Sequence, residues 1–242
     1  MTEINRPIVN RFSDAQAVAI AAADAFVNKA IELLAVKSEI HISITGGTVG
    51  ILTLKMIGEH DQVEQIDWDR VNIWWGDERF VDSDSPDRNA NQAADALLER
   101  VDATRLHEFP AADEGLSLDD AAQEFADHVE LIKPQFDLTF LGMGPDGHIC
   151  SLFPGKPLPA PGVAIIAEHD SPKPPPQRLS FTYEAVNASD EIWFLVAGAD
   201  KADAVEVAFS ENPEALPVGR IKAAKRTVWF VDSSAGAKVW GC

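Results

Sequence analysis

At intervals of about 30 residues the chain repeats one local pattern: a short apolar run, an abrupt glycine-bearing turn, then a segment of helical periodicity. Ile40-His-Ile-Ser-Ile-Thr45 stops at Gly46-Gly47, and a helix from Val49 to Ile57, closed by Gly58, follows. Val71-Asn-Ile-Trp-Trp75 stops at the polar turn Gly76-Asp77-Glu78-Arg79, with a helix from Asn89 to Arg100 further on. Phe136-Asp-Leu-Thr-Phe-Leu141 runs into Gly142-Met-Gly-Pro-Asp-Gly-His148, and Glu191 to Ala197 precedes Gly198 and a helix from Ala199 to Ser210. Strands and helices alternating in this way bury apolar faces on both sides of a sheet. The pattern therefore predicts an open α/β sheet.

The remaining segments fit that frame. Ser13 is the expected N-cap of a long first helix in which Val18, Phe26, Val27, Ala30, Leu33 and Leu34 recur at near-helical spacing. Asp119 to Leu131 reads as another helix, Val163 to Ala167 as a short strand and Arg226 to Val231 as the last clear strand. Successive prolines make Ser171 to Pro176 an extended loop. No linker divides the chain, so residues 1–242 are expected to form one domain.

Charge narrows the partners. Twenty Lys and Arg against thirty-nine Asp and Glu leave a formal charge of −19. A nucleic-acid partner is not expected, because neutralising phosphates takes clustered cations and the longest basic cluster is Lys222 to Arg226. The two cysteines, Cys150 and Cys242, make no disulfide framework. The stretch Met1 to Pro7 lacks the basic and apolar regions of a signal peptide, and the most apolar helical stretch carries Asp24, Lys29 and Glu32. A cytoplasmic, monomeric protein without a membrane segment is expected. No His-x-x-x-His or Cys-x-x-Cys pattern occurs, so neither a metal nor another cofactor is expected.

In open α/β sheets the ligand site lies beyond the carboxyl ends of the strands, where these turns would converge. Gly46-Gly47-Thr48 is either a tight turn or an anion cradle of bare N–H groups at a helix N-terminus. Gly142 to His148 delivers a histidine able to take a proton from water near neutral pH, with Asp146 placed to orient it or to contact substrate hydroxyls. Arg79 is suited to an oxyanion or a phosphate, or to a surface pair with its acidic neighbours. Lys201, at a helix start, opposes the helix dipole unless an anion is shared there. Against a background of −19, any bound phosphate ester needs local cations. Arg79, Arg178 and Lys201 are the candidates, with Lys173 and Arg88 in reserve.

Taken together these residues resemble the 6-phosphogluconolactonases and, more distantly, the glucosamine-6-phosphate isomerase/deaminase group of the same fold. The resemblance rests on Thr45-Gly-Gly-Thr48, Trp75-Gly-Asp-Glu-Arg-Phe-Val81 with Asn89, Leu141-Gly-Met-Gly-Pro-Asp-Gly-His-Ile-Cys-Ser-Leu-Phe-Pro154, Pro172-Lys-Pro-Pro-Pro-Gln-Arg178, and Gly198 with Lys201. It implies an α/β, Rossmann-like open, mostly parallel sheet with helices on both faces, and hydrolysis of 6-phospho-glucono-1,5-lactone in the oxidative pentose phosphate pathway. It also implies His148 and Arg79 as catalytic residues, and Gly46, Gly47, Thr48, Asp77, Asn89, Asp146, Arg178 and Lys201 as substrate-binding residues. Deaminase-like members carry a glutamate where this chain has Phe153. The first loop departs from the family's usual serines, and Arg88 replaces a common serine. The competing readings are a sugar-phosphate isomerase or deaminase and a non-catalytic sugar-phosphate sensor.

Overall fold

In the computed structural model, which describes residues 6–241, the apolar runs become strands of a parallel sheet. Met1–Asn5 and Cys242, on which part of the leader and cysteine readings falls, lie outside the described residues. In chain order the elements are β1 (Ile8–Phe12), α1 (Ala15–Leu34), β2 (Ile40–Ile44), α2 (Gly47–Gly58), β3 (Val71–Trp75), β4 (Asp77–Arg79), α3 (Asn89–Ala93), β5 (Leu106–His107) and α4 (Leu118–Ile132). They continue with β6 (Phe136–Leu141), β7 (Ile165–Glu168), β8 (Arg178–Phe181), α5 (Tyr183–Asn187), β9 (Glu191–Val196), α6 (Ala202–Ala208), β10 (Arg226–Asp232) and α7 (Ala237–Trp240). The main sheet has seven strands in the order β1-β10-β9-β6-β2-β3-β5, and every neighbouring pair is parallel. The expected fold class is therefore observed.

Local chemistry accounts for most boundaries. Asp14 rather than Ser13 caps α1: its carboxylate accepts the Ala17 N–H at 2.9 Å, while the Ser13 hydroxyl donates to that same carboxylate at 2.8 Å. The charged acceptor wins the cap, and serine supports it. Ser117 caps α4, whose Leu118, Ala121, Ala122 and Phe125 fall on one buried stripe. The helix expected over Asn89–Arg100 is interrupted, because α3 gives way to a π-helical turn at Ala94–Leu98.

Two features were not visible as pattern. β6 carries an extra residue opposite β2, where His41 pairs Phe136 and Ile42 pairs Leu138. This bulge turns Phe136 toward Trp74 and Phe181, while Phe140, four residues on, meets Phe26 and Trp193. The core is thereby continuous on both faces of one strand. Second, a small antiparallel sheet, β4-β8-β7, stands beside the main one. Asp77–Arg79, expected as a turn, is its first strand, and the segment expected as a strand at Val163–Ala167 begins at Ile165. Among the described residues no helix is long and apolar enough to cross a membrane.

Candidate active site

From β2 the chain steps outward through β3 to β5, then returns to place β6 on the other side of β2 and steps away through β9 to β10. The sheet therefore changes direction between β2 and β6, the place where an open α/β sheet leaves a crevice. The turn after β2 and the turn after β6 meet there, with the Gly142 N–H 3.4 Å from the Thr45 hydroxyl. Above them lies a cavity of about 580 Å³ lined by Gly46, Gly47, Thr48, Asp77, Arg79, Asn89, His148, Arg178 and Lys201. Nine of the ten residues singled out from the sequence thus share one space, and Asp146 stands behind them.

His148 and Asp146 form a close pair. Nδ1 of the imidazole lies 2.5 Å from Asp146 Oδ1, and the two side chains are 18% and 37% exposed. A carboxylate only accepts, so Nδ1 carries the proton and Nε2 keeps its lone pair. Of the two roles open to Asp146, its position matches the orienting one. Burial pushes His148 below the usual imidazole range; the hydrogen bond and charge of Asp146 oppose this, and nearby Lys173 adds to it. Burial would raise Asp146, but the His148 hydrogen bond and the charges of His148 and Lys173 outweigh it and hold the carboxyl below its usual range. The pair is thus a neutral imidazole on a carboxylate. The Phe153 ring lies 4.8 Å from the imidazole, on the cavity wall.

Glycine is required under this pair. A Cβ on Gly144 would fall 1.9 Å from His148 Nδ1 and 2.5 Å from Asp146 Oδ1. A Cβ on Gly46 would fall 1.9 Å from Asn89 Oδ1, so the first loop is glycine partly to admit the Asn89 side chain. The first contact lies within the turn after β6, and the second joins the turn after β2 to the start of α3.

The cations come from the small sheet. Arg79 on β4 and Arg178 on β8 are direct cross-strand partners. Like charges so placed repel, and an anion between them would relieve the repulsion. Arg79 is not a surface partner of Asp77 or Glu78: its Nη1 donates to Asn89 Oδ1 and to the Asp87 carbonyl, both at 2.7 Å. Its buried Nε finds no partner among the described residues. Arg178 is buried and largely committed to the proline loop, where Nε donates to the Pro175 carbonyl at 2.8 Å and Nη2 to the carbonyls of Pro174 and Lys173 at 3.1 and 3.2 Å. Its Nη1 remains, 4.0 Å from Asp77 Oδ2. Burial, with Arg79 adding to it against Asp77, lowers the Arg178 proton affinity.

Three further placements bear on the site. Asn89 binds Arg79 through Oδ1 and the Asp77 carbonyl through Nδ2, so its amide braces the cations. Asp77 accepts from the Ser151 hydroxyl at 2.6 Å. Lys201 ends a 3₁₀ turn at the foot of α6 and pairs with Asp200 at 2.9 Å. Arg88 neither faces solvent nor lines the cavity: it is buried, with Nη2 on the Phe109 carbonyl at 2.8 Å. Burial and the charge of Asp77 push the Cys150 thiol up, which disfavours its thiolate.

Glu78 was missed. Fully buried beneath β4, its carboxylate accepts the backbone N–H groups of Arg79 at 2.8 Å, Asn89 at 2.7 Å and Ala90 at 2.8 Å. It ties β4 to the start of α3 and thereby sets Arg79 against Asn89. The only signal in the sequence was an acid inside a polar run read as a turn.

The family model described as glucosamine-6-phosphate isomerases/6-phosphogluconolactonase matches residues 13–229. A 6-phosphogluconolactonase of Streptomyces coelicolor is 36% identical, the alignment covering 99% of this chain and 96% of that one. One of Mycobacterium tuberculosis is 37% identical over 94% of this chain and 96% of its own. The crystal structure of a 6-phosphogluconolactonase from Thermotoga maritima superposes with a TM-score of 0.82 at 24% identity, covering 94% of this chain and 100% of that one.

Proposed function

The chain belongs to the glucosamine-6-phosphate isomerase/6-phosphogluconolactonase family, and we propose that it hydrolyses 6-phospho-D-glucono-1,5-lactone to 6-phospho-D-gluconate, the lactone step of the oxidative pentose phosphate pathway. The relatives' names support the reaction; the observation that carries the mechanism is an imidazole, its Nε2 without a hydrogen-bond partner among the described residues, sharing one cavity with two opposed guanidinium groups.

A lactone is already activated, so a placed water, a base and help for the oxyanion suffice. His148 Nε2 takes a proton from water as the water oxygen bonds to C1. The negative charge that develops on the carbonyl oxygen is met by Arg79. When the C1–ring-oxygen bond breaks, the imidazolium returns its proton to that oxygen, which leaves as a hydroxyl. The phosphate lies against Gly47, Thr48, Lys201 and the remaining Nη1 of Arg178. Binding energy from this remote group orients C1 toward the histidine. Phe153, whose ring lies beside the imidazole, stands where the deaminase-like members carry a glutamate, which favours the lactonase reading over the deaminase one.

Lactone hydrolysis, followed by acid release and corrected for the spontaneous rate, tests the activity; a rate equal to the spontaneous one overturns it. Lys201→Ala tests the phosphate site. We expect KM for the phosphorylated lactone to rise about 10–100-fold, the worth of a charge-assisted hydrogen bond of about 1.5–3 kcal/mol, with unphosphorylated gluconolactone unaffected. Equal losses on both substrates would remove Lys201 from that role.

The pH dependence follows from the depressed imidazole. A base works when deprotonated, and lowering its proton affinity extends that form toward acid. The acid limb of kcat/KM for unphosphorylated gluconolactone, a substrate whose own charge does not titrate there, is expected below the ordinary imidazole value of 6.5. A limb above that value would contradict the assignment.

A further inference from the structure

Lys173 takes no part in the steps above, yet its position is well specified. Its N–H is within 3.2 Å of the Ser171 hydroxyl, and its carbonyl accepts from that hydroxyl at 2.9 Å and from Arg178 at 3.2 Å. Arg178 also holds the next two carbonyls. The backbone from which the side chain springs is thus pinned inside a proline loop. The ammonium lies 3.7 Å from Asp146 Oδ1 and 3.4 Å from His148 Nδ1. An ammonium and an N–H are both donors and form no bond to each other, so they converge on one carboxylate oxygen.

We propose that Lys173 is a positioning residue of this site: its ammonium shares the Asp146 carboxylate with the imidazole and keeps His148 neutral, protonated on Nδ1 and basic at Nε2. The proposal rests on the assignment of His148 as the base and adds a residue to it. A cation beside a base looks adverse, because it disfavours the imidazolium. Here that is its use. The ammonium secures Asp146 as an anion, and therefore as an acceptor for Nδ1–H. It also makes the imidazolium formed during attack quick to return its proton to the leaving ring oxygen. The charged groups that bear most on His148 are Asp146 from its own turn, Asp77 from β4 and Lys173 from the loop; Arg79, Arg178 and Lys201 line the same cavity, and Phe153 presents its ring. Two carboxylates favour the imidazolium; burial opposes them most, and Lys173 supplies the opposing charge. Arg178 acquires a second duty, since the loop it holds carries that counterweight to the pair.

The test is an NMR titration of the His148 ring in the substrate-free protein, its signal assigned by loss in His148→Asn. The Lys173→Gln midpoint is expected about 0.5–1 pH unit above wild type, a small shift for so close a charge because the lysine side chain is 41% exposed and partly screened. Lys173→Arg, which keeps the charge, should titrate with wild type. The acid limb of gluconolactone hydrolysis should move with the midpoint. A residue that merely supported the loop would leave the midpoint where it was. An unmoved Lys173→Gln midpoint, or a Lys173→Arg midpoint displaced as far as that of Lys173→Gln, overturns the proposal. The titration uses no substrate, so its result is read separately from whether the protein hydrolyses the phosphorylated lactone.

Discussion

Replacing His148 by alanine is expected to lower kcat for the phosphorylated lactone by about 10²–10⁴-fold while KM stays within about threefold of wild type. The imidazole is the candidate base of the cavity, with Nδ1 committed to Asp146 and Nε2 open. It makes no proposed contact with the phosphate, which lies against other residues. Its removal therefore costs proton transfer in the transition state and little ground-state binding. The residual rate should come from the oxyanion contact and from orientation alone. Steady-state kinetics on the purified variant, after subtracting spontaneous hydrolysis, decide the matter. Turnover equal to wild type would remove the histidine from the chemistry, and a large rise in KM at unchanged kcat would reassign it to binding.

Gly144→Ala is expected to lower kcat by about 10²–10³-fold in a protein that still folds, by displacing the same base without replacing it. The added methyl would occupy the place of His148 Nδ1, 1.9 Å away, and lie 2.5 Å from the Asp146 carboxylate. Side chains can yield where backbone cannot, so the cost falls on the imidazole–carboxylate pair rather than on the sheet. A displaced imidazole loses both its tautomer and its aim at C1, and misplacements of about 1 Å are enough to cost about 100-fold. Melting within a few degrees of wild type would accompany the lost activity. An alanine variant with wild-type turnover would show that the pair does not need to lie against this turn, and the assigned geometry would fail with it.

These two variants mark a difference in what could be read in advance. His148 was legible because three glycines and a proline deliver it to the end of an apolar strand, a purely local signature. That Gly144 must be glycine, and which atoms it makes room for, depends on how the turn folds back on itself. Arg79 and Arg178 were each visible as cations near a site, yet not as partners. Their segments are far apart in the chain, and the strands that pair them are only three and four residues long, too short to show alternation. Glu78 was hidden for the same reason: a buried carboxylate with three backbone partners looks, in sequence, like one more acid in a polar turn. Arg178 was expected to spend its guanidinium on phosphate, whereas most of its donors go to the carbonyls of the proline loop.

Periodicity and glycine placement determined the layered α/β architecture, the strand ends on which chemistry collects and the histidine among them, because each is a property of a few consecutive residues acting through backbone conformation and side-chain burial. The facing of two arginines, the bulge that splits the β6 aromatics between the two faces of the sheet, the brace under β4 and the lysine beside the imidazole were decided only when distant segments packed. Those contacts are set by which surfaces exclude water together and by how polar groups trapped between them find partners, and neither is written within a window of sequence.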